Sequence, residues 1–380
     1  MEILKYTEEH KTFRQAVREF FEKEVMPYAD EWEKDGITPK SVWKKMGEQG
    51  FLCMDVPQEY GGRGADFLYS VILTEELVLT RQSGVASPVH SDVVVPYITS
   101  YASEDLKQEY LPGCVSGDII TAVAMTEPDA GSDLASMRTT AVEEGDHVII
   151  NGQKTFISNG INCDLVVLAA KDPSAENPYQ ALDLYLVEAG TPGFEKGRNL
   201  LKMGWHSQDT AELYFSDCRI PKTNRLGQKG SGFLMLMDKL QQERIMCCIA
   251  AVAGAEYVLE DTIKYCKEHI ESGRPISSFQ SAQFKIVEMA TEVKLGRTFL
   301  DKLIADHMEG KSIVVEASMA KYWTTEMAMR MADMCMDFHG GYGCCEEYPI
   351  ARAWRDLRVM TIFAGTNEIM KGIAAKFMGL

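Results

Sequence analysis

The stretch that decides the fold is residues 361–371, which read T-I-F-A-G-T-N-E-I-M-K. A bulky apolar run ends at Gly365, and helix-forming residues resume at Ile369. Gly365 permits a tight backbone turn, and Thr366 or Asn367 can cap the helix that follows. Backbone N–H groups at such a turn can bind an anionic or carbonyl oxygen. Taken alone, however, the stretch is more simply a strand-to-helix connection, so the surrounding sequence has to decide.

The composition is that of an ordinary globular protein. The chain has 380 residues, of which 46% are hydrophobic and 25% charged, enough for two or three domains. Its net charge of −17 disfavours nucleic acid or an anionic membrane as a general partner. No apolar run has the length of a membrane-spanning helix, and the N-terminus lacks the pattern of a secretion signal. The 10 cysteines form no C-x-x-C motif, so we expect reduced thiols and a cytoplasmic location.

The hydrophobic pattern divides the chain into three regions. Residues 1–118 have mostly helical spacing, and residues 119–225 contain five or six short apolar runs separated by turn signals. Helical spacing returns over residues 226–380. This order predicts an α+β fold in which a small β domain lies between an N-terminal helical domain and a C-terminal helical bundle.

Within the β region, Asn151 and Gly152 stand between two apolar runs, residues 148–150 and 155–157. Asn-Gly between apolar runs is the strongest short hairpin signal. We therefore predict a hairpin turn at Asn151-Gly152.

Four short motifs carry a resemblance to a known family. They are residues 124–133 (A-M-T-E-P-D-A-G-S-D), 154–160 (K-T-F-I-S-N-G), 338–343 (F-H-G-G-Y-G) and 363–368 (F-A-G-T-N-E). Each motif alone is weak, but together, in this order and spacing, they resemble the acyl-CoA dehydrogenase family over nearly the whole chain. The resemblance implies FAD, a CoA thioester substrate, a homotetramer and an electron-transfer flavoprotein as acceptor.

The resemblance also implies which residues meet the flavin ring. Met125 and Thr126 should contact the ring from the end of the first β-strand. Phe156 takes the place of a ring-stacking aromatic residue, and Ser158 that of a hydroxyl donor near flavin N5.

The rest of FAD is expected to contact other segments. By the same resemblance, Thr366 and Glu368 touch the phosphate and ribose region. Gln280, Gly340 and Gly341 should lie against the adenosine half of an FAD held by a neighbouring subunit.

Further residues follow from the resemblance, with one departure from the family pattern. Ser132 and Arg244 should face the CoA. Most relatives have an arginine and a phenylalanine where this chain has His269 and Ser272, so we expect Arg274 to supply the pyrophosphate contact instead.

A second departure concerns catalysis. Many relatives place the catalytic glutamate where this chain has Ala364, and alanine cannot act as a base. The resemblance leaves Ala364 a role through its backbone N–H, which would bind the thioester carbonyl together with a flavin ribityl hydroxyl. Two donors at a developing enolate are worth several kcal/mol, roughly, as in other oxyanion holes.

The first candidate for the base is Glu243. It matches the position used by the long-chain and isovaleryl branches of the family, which also lack an acid in the final loop. Without that match, a glutamate near a helix start would simply be a favourable interaction with the helix dipole.

The second candidate is Asp92. Its position lines the acyl pocket in the family, and an acid there would have to be desolvated or paired. It resembles the aspartate of alicyclic dehydrogenases of the cyclohexenecarboxyl-CoA type, which perform 1,4-elimination, and this is the sharper hypothesis. The alternative is a helix cap before Val93, a role for which aspartate is favoured.

Two rival functions remain at this stage. One is a non-catalytic or nucleic-acid-binding offshoot of the same fold, against which the negative charge argues. The other is an acyl-CoA oxidase, although oxidases are commonly much longer chains.

Overall fold

The computed structural model describes residues 3–177 and 180–380. The N-terminal part is helical, and its first helix begins where Thr7 accepts a hydrogen bond from the backbone N–H of His10. A π-helix, Val89–Val94, runs directly into the fifth α-helix. The α-helices of this part are α1 (Glu8–Glu24), α2 (Ala29–Asp35), α3 (Lys40–Gln49), α4 (Phe67–Leu79), α5 (Val95–Tyr101) and α6 (Glu104–Ser116).

The middle part is a mixed sheet. The strands are β1 (Thr121–Ala124), β2 (Thr140–Glu144), β3 (His147–Ser158), β4 (Leu165–Lys171), β5 (Leu182–Glu188), β6 (Phe194–Asn199), β7 (Thr210–Pro221) and β8 (Arg225–Leu226). Their spatial order is β6-β7-β3-β2-β4-β5-β8, and β1 pairs with β4 in parallel.

The C-terminal part is helical again, with one small hairpin. The elements are α7 (Gly232–Glu268), β9 (Ile270–Glu271), β10 (Arg274–Pro275), α8 (Gln280–Met308), α9 (Val314–His339), α10 (Pro349–Leu357) and α11 (Asn367–Phe377). The predicted order of a helical, a β and a second helical domain is therefore confirmed. The cysteines in the described residues form no disulfide, and none of the described helices could cross a membrane.

The predicted hairpin at Asn151-Gly152 is wrong. β3 passes through both residues without a turn, and the β2–β3 turn lies earlier, between Glu144 and His147. Gly152 instead lies at an irregularity in the pairing of β3 with β7. A side chain there would place its Cβ 2.5 Å from Thr139 Oγ1, so close packing explains the glycine.

Helix α7 organises the contacts between the parts. It has 37 residues, a length of roughly 55 Å at 1.5 Å per residue. It packs against α4, the π-helix and α5 of the N-terminal part and against α8, α9 and α10 of the C-terminal part. Because α7 is surrounded by other elements, apolar residues are distributed around most of its circumference rather than along one stripe.

Candidate active site

A cavity of about 340 Å³ lies where the helical parts and the sheet meet. One face of α7 forms its longest wall, through Glu243, Met246, Cys247, Ala250, Gly254 and Tyr257. The other walls come from α4, the segment before the π-helix, the ends of β1 and β3, α10 and the turn before α11. The lining is predominantly apolar, as expected of a pocket for an extended organic ligand.

The sheet side of the cavity presents an aromatic ring. Phe156 lines the cavity and is 67% exposed, a high value for a phenylalanine. Its backbone has φ 58°, in the left-handed region, at the point where the pairing of β3 with β7 shifts register. A bulky residue in that conformation is strained, and strain of this kind clusters at functional sites. Ser158, Met125 and Thr126 line the same wall, as predicted for flavin contacts.

A buried ion pair holds this wall in place. Lys154 Nζ lies 2.9 Å from Glu127 Oε1 and donates a second bond, at 3.1 Å, to the Met125 carbonyl. The Glu127 carboxylate also accepts the backbone N–H groups of Arg138 and Thr139. Burial alone would raise the pKa of Glu127, but the charge of Lys154 and these hydrogen bonds keep that pKa below its usual value. The pair fixes the loop that carries the predicted flavin contacts.

Glu243 lies on the α7 wall, where its side chain is buried. Its Oε1 accepts a hydrogen bond of 2.9 Å from the hydroxyl of Tyr97. Burial raises the pKa of Glu243 to about 7, while Tyr97 and the charge of Arg244 act in the opposite direction. A carboxylate with a pKa near neutrality is well suited to accept a proton.

Asp356 is a second acid on the cavity wall. Its Oδ1 accepts the backbone N–H of Trp205 at 2.6 Å, and its carbonyl accepts the indole N–H at 2.9 Å. Through these hydrogen bonds, Asp356 joins α10 to the loop before β7. Among the described residues, no backbone N–H donates to the Glu243 carboxylate, and Tyr97 contacts its Oε1 rather than its Oε2.

The turn that contains Ala364 also faces the cavity; we call residues 363–366 the C-terminal turn. Ala364 has φ 54° and Gly365 φ 88°, so the turn uses two successive left-handed residues. Among the described residues, the backbone N–H of Ala364 has no acceptor. Thr366 caps α11 by accepting the backbone N–H of Ile369, which confirms the capping prediction. The segment before the turn is a 3₁₀-helix rather than a strand.

A buried lysine supports the C-terminal turn from behind. Lys321 on α9 donates to the Gly365 carbonyl at 2.8 Å and to Asn367 Oδ1 at 3.0 Å. The Asn367 amide in turn contacts Thr325 and the Tyr322 carbonyl. The polar groups behind the turn are therefore bonded within the protein, whereas the Ala364 N–H is left for a ligand.

Arg244 follows Glu243 on α7 and is also buried. Its Nε has no hydrogen-bond partner among the described residues. Burial lowers the pKa of Arg244, and the neighbouring Glu243 partly offsets that effect. A buried cation with an unpaired donor is costly. Among the described residues, Arg244 does not line the cavity, and its contact with CoA stays a prediction.

The structure does not bring Asp92 to the cavity wall. Val89 and Val93 of the π-helix line the cavity, but Asp92 is not among the described residues that do so. Its carboxyl is fully buried, with the Ser70 hydroxyl as its hydrogen-bonding neighbour, and burial raises its pKa to about 8. The cap interpretation is wrong, because Asp92 lies inside the π-helix and makes no cap bond. The one-residue widening of a π-turn is not visible in the sequence pattern.

The other predicted site residues lie away from the cavity. Arg274 belongs to the β9–β10 hairpin, is exposed and stacks over Phe279 at 3.9 Å. Gln280, the first residue of α8, is exposed, as are Gly340, Gly341, Glu368 and Ser132, while Thr366 is half-buried. Added side chains at Gly340 and Gly341 would meet only open space within the described chain.

Sequence reasoning missed the residues that support the site. The partners of Glu243 and of the C-terminal turn are Tyr97 and Lys321, and the loop of Met125 depends on Lys154 and Glu127. Lys154 and Glu127 do lie inside two of the quoted motifs, which was the available signal. Tyr97 and Lys321 lie outside every motif.

Comparison with known proteins matches three family models in the predicted order. They are the N-terminal domain of acyl-CoA dehydrogenase at residues 7–118, the middle domain at 122–218 and the C-terminal domain at 230–379. The chain belongs to the acyl-CoA dehydrogenase family. It is 41% identical to the long-chain specific acyl-CoA dehydrogenase of Rattus norvegicus mitochondria, over 98% of this chain and 86% of that protein.

Solved structures are also similar to this chain over nearly its whole length. The crystal structure of an acyl-CoA dehydrogenase from Geobacillus kaustophilus is 55% identical over 99% of both chains, with a TM-score of 0.97. A chain in the structure of the electron transferring flavoprotein of Acidaminococcus fermentans is 34% identical over 99% of both chains, with a TM-score of 0.94. The protein is therefore an enzyme of the acyl-CoA dehydrogenase class with FAD as its cofactor. These relatives do not favour the non-catalytic alternative.

The cavity fits FAD. The exposed Phe156 ring offers a surface to a planar ligand, and the ends of β1 and β3 bring Met125, Thr126 and Ser158 beside it. The Ala364 N–H, which has no acceptor among the described residues, is a polar group of the cavity wall that a bound ligand would satisfy. The residues that would hold the flavin ring are thus brought together by folding.

Proposed function

We propose that the enzyme removes a proton and a hydride from the two carbons next to the carbonyl of an acyl-CoA thioester, with Glu243 as the base. The observation that carries this proposal is the position of Glu243, buried on the cavity wall with a pKa raised to about 7. FAD, when bound, supplies the hydride acceptor. The protein's own task is to bind the thioester, exclude water and take the proton.

Two groups of this chain would act on the thioester. The Ala364 N–H would donate to its carbonyl oxygen, which acidifies the neighbouring carbon. The Glu243 carboxylate would remove the proton from that carbon. Burial raises the pKa of Glu243 to about 7, which makes its carboxylate a stronger base than an exposed glutamate.

We further propose that the acyl group is long and linear. The α7 wall runs from Glu243 to Tyr257, roughly 21 Å at 1.5 Å per residue. Gly254 lets Leu357 pack closely on this wall, because a Cβ there would approach the Leu357 side chain to 3.0 Å. The relative from Rattus norvegicus is a long-chain specific enzyme, in agreement with an extended pocket.

An alicyclic substrate with Asp92 as base is the second candidate. Its support is that Val89 and Val93, on the same π-helix as Asp92, do line the cavity. Asp92 would need to move its carboxyl from Ser70 into the cavity, and the extended shape of the α7 wall favours the linear substrate.

We propose that the enzyme forms a homotetramer. Phe284, Val287 and Leu295 make an apolar row on α8, and each is at least 60% exposed. Such a row is stabilised by a second copy of the chain. The exposed Gln280, Gly340 and Gly341 would then contact an FAD held by that copy, as the family pattern implies.

We also propose an electron-transfer flavoprotein as the electron acceptor. Support comes from the likeness to a chain in the structure of such a flavoprotein from Acidaminococcus fermentans. Peroxide formation by the purified enzyme during turnover, in place of transfer to this acceptor, would instead identify an oxidase.

The test of the base is Glu243→Gln. Glutamine keeps the size of the side chain and an acceptor for Tyr97, so FAD should stay bound. We expect flavin reduction by a long linear acyl-CoA to slow by roughly 10²–10⁴-fold, the usual contribution of a positioned base. Anaerobic stopped-flow absorbance measures this rate.

Asp92→Asn is the matched control. It should leave reduction by linear acyl-CoA unchanged. If Glu243→Gln reduces at the normal rate while Asp92→Asn abolishes reduction by a cyclohexenecarboxyl-CoA, the alicyclic candidate replaces the first.

A further inference from the structure

A tyrosine outside the cavity contacts the base directly. Tyr97 on α5 is fully buried, and its hydroxyl donates to Glu243 Oε1 at 2.9 Å. Among the described residues, Tyr97 is not part of the cavity wall. A buried hydroxyl requires a partner, and the structure provides Glu243. The contact joins residues 146 positions apart in the chain.

The π-helix determines where Tyr97 points. At its end, the backbone N–H of Val95 bonds to the His90 carbonyl five residues earlier. One extra residue in a helical turn rotates everything that follows by roughly 100° relative to a regular α-helix. The rotation selects which face of α5, and thus which side chains, meet α7.

A second contact fixes the π-helix to the same place on α7. Gln242 Nε2 donates to the Asp92 carbonyl at 2.7 Å. Gln242 immediately precedes Glu243, so consecutive residues of α7 contact the π-helix and the helix that continues from it. The pair of contacts ties the position of the tyrosine hydroxyl to that of the carboxylate.

We propose that Tyr97 is a positioning residue for the base: its hydroxyl holds one carboxylate oxygen of Glu243 against α5 and leaves the other oxygen facing the thioester. This inference rests on the proposed role of Glu243. The tyrosine itself contacts neither the substrate nor the reacting atoms.

Apart from Arg244, the charged groups on the elements around Glu243 have other partners. Arg244 is the charged neighbour that acts on Glu243 from α7 itself. Asp92 on the π-helix interacts with Ser70 of α4 and with Asp55. Lys321 on α9 donates to the C-terminal turn, and on α10 Asp356 is held by Trp205. Tyr97 is therefore the neutral hydrogen-bond donor to this carboxylate.

The chain contains a matched control for Tyr97. Tyr101 lies one turn later on α5, and its hydroxyl donates to Asp238 Oδ2 at 2.6 Å. Asp238 is also on α7, but among the described residues it does not belong to the cavity wall. Tyr97→Phe and Tyr101→Phe therefore make the same chemical change at the same pair of helices.

The first readout is the pH profile of flavin reduction in the holoenzyme. The Tyr97 bond favours the ionised carboxylate, so its loss raises the pKa of Glu243. We expect the acid limb of the Tyr97→Phe profile to move to higher pH by about 1–2 units, since hydrogen bonds to charged groups have that strength. Tyr101→Phe should leave the limb where it is.

The second readout does not depend on turnover. The infrared absorption of the protonated Glu243 carboxyl, identified by its loss in Glu243→Gln, can be titrated in the holoenzyme. Its midpoint should shift in Tyr97→Phe by the same amount as the kinetic limb. A tyrosine acting only in packing would leave this midpoint unchanged, and that result would overturn the proposal.

A third variant covers the case in which Tyr97→Phe does not fold. Difluorotyrosine incorporated at position 97 keeps the packing and strengthens the donor, so the infrared midpoint should move to lower pH. An unchanged midpoint again refutes the proposal. The two proposals can be refuted independently. A normal rate of flavin reduction in Glu243→Gln would show that Glu243 is not the base, whereas the infrared midpoint tests whether Tyr97 acts on the Glu243 carboxylate.

Discussion

Replacing Asp92 by asparagine removes a buried carboxyl group whose surroundings oppose its ionisation. Asp92 is 4% exposed, and burial raises its pKa from 3.8 to about 8, with the Asp55 charge acting in the same direction and the Ser70 bond against it. Asparagine has nearly the same size and can still bond to Ser70, but it does not titrate. The variant therefore isolates the effect of one buried proton on stability.

The sign and size follow from proton linkage. Between about pH 4 and pH 8, the folded state keeps a proton on Asp92 that the unfolded state loses, so the free energy of unfolding falls as the pH rises. Below pH 4 both states are protonated and the group contributes nothing. At ~1.4 kcal/mol per pKa unit, the asparagine variant should gain about 3–4 kcal/mol over the wild type between pH 5 and pH 8.

Urea unfolding followed by circular dichroism, at fixed enzyme and FAD concentration, measures this difference. Titrating groups that do not interact with Asp92 are common to both proteins and cancel from the comparison, whereas Asp55 is coupled to Asp92. Parallel pH dependences of the two proteins would mean that Asp92 ionises normally and has a partner or solvent access. In that case the carboxyl could reach the cavity, and the alicyclic alternative would regain support.

Two further predictions concern packing and the support of the site. Lys154→Met should lower the free energy of unfolding by roughly 3–5 kcal/mol, because it leaves the buried Glu127 without its cationic partner. Urea unfolding should show much of that loss restored in the double variant with Glu127→Gln, and no restoration would contradict the ion-pair explanation. Gly152→Ala should lower stability by about 1–3 kcal/mol, because the new Cβ meets Thr139; an unchanged thermal midpoint would show that the strand can relax there.

Local patterns determined the order of the helical and β domains. Helical and strand periodicities are properties of neighbouring residues, so a change from one to the other is visible without a structure. Caps are equally local, and Thr7 and Thr366 begin their helices as expected. The motifs around Met125 and Phe156 likewise contain, within a few residues, the groups that folding places on one wall of the cavity.

Only the tertiary structure decided which acid faces the cavity. Both Asp92 and Glu243 are credible bases from the sequence, but folding places Glu243 on the cavity wall and the Asp92 carboxyl beside Ser70. Asp92 lies in a π-helix, whose extra residue leaves no periodic signal. The hairpin prediction fails for a related reason. Gly152 is required by close packing against Thr139, which is distant in sequence, and not by a turn formed with its own neighbours. The environment that sets the pKa of Glu243 comes from burial by several elements and from a hydroxyl 146 residues away. Such contacts are long-range, and they come into existence only when the helices pack.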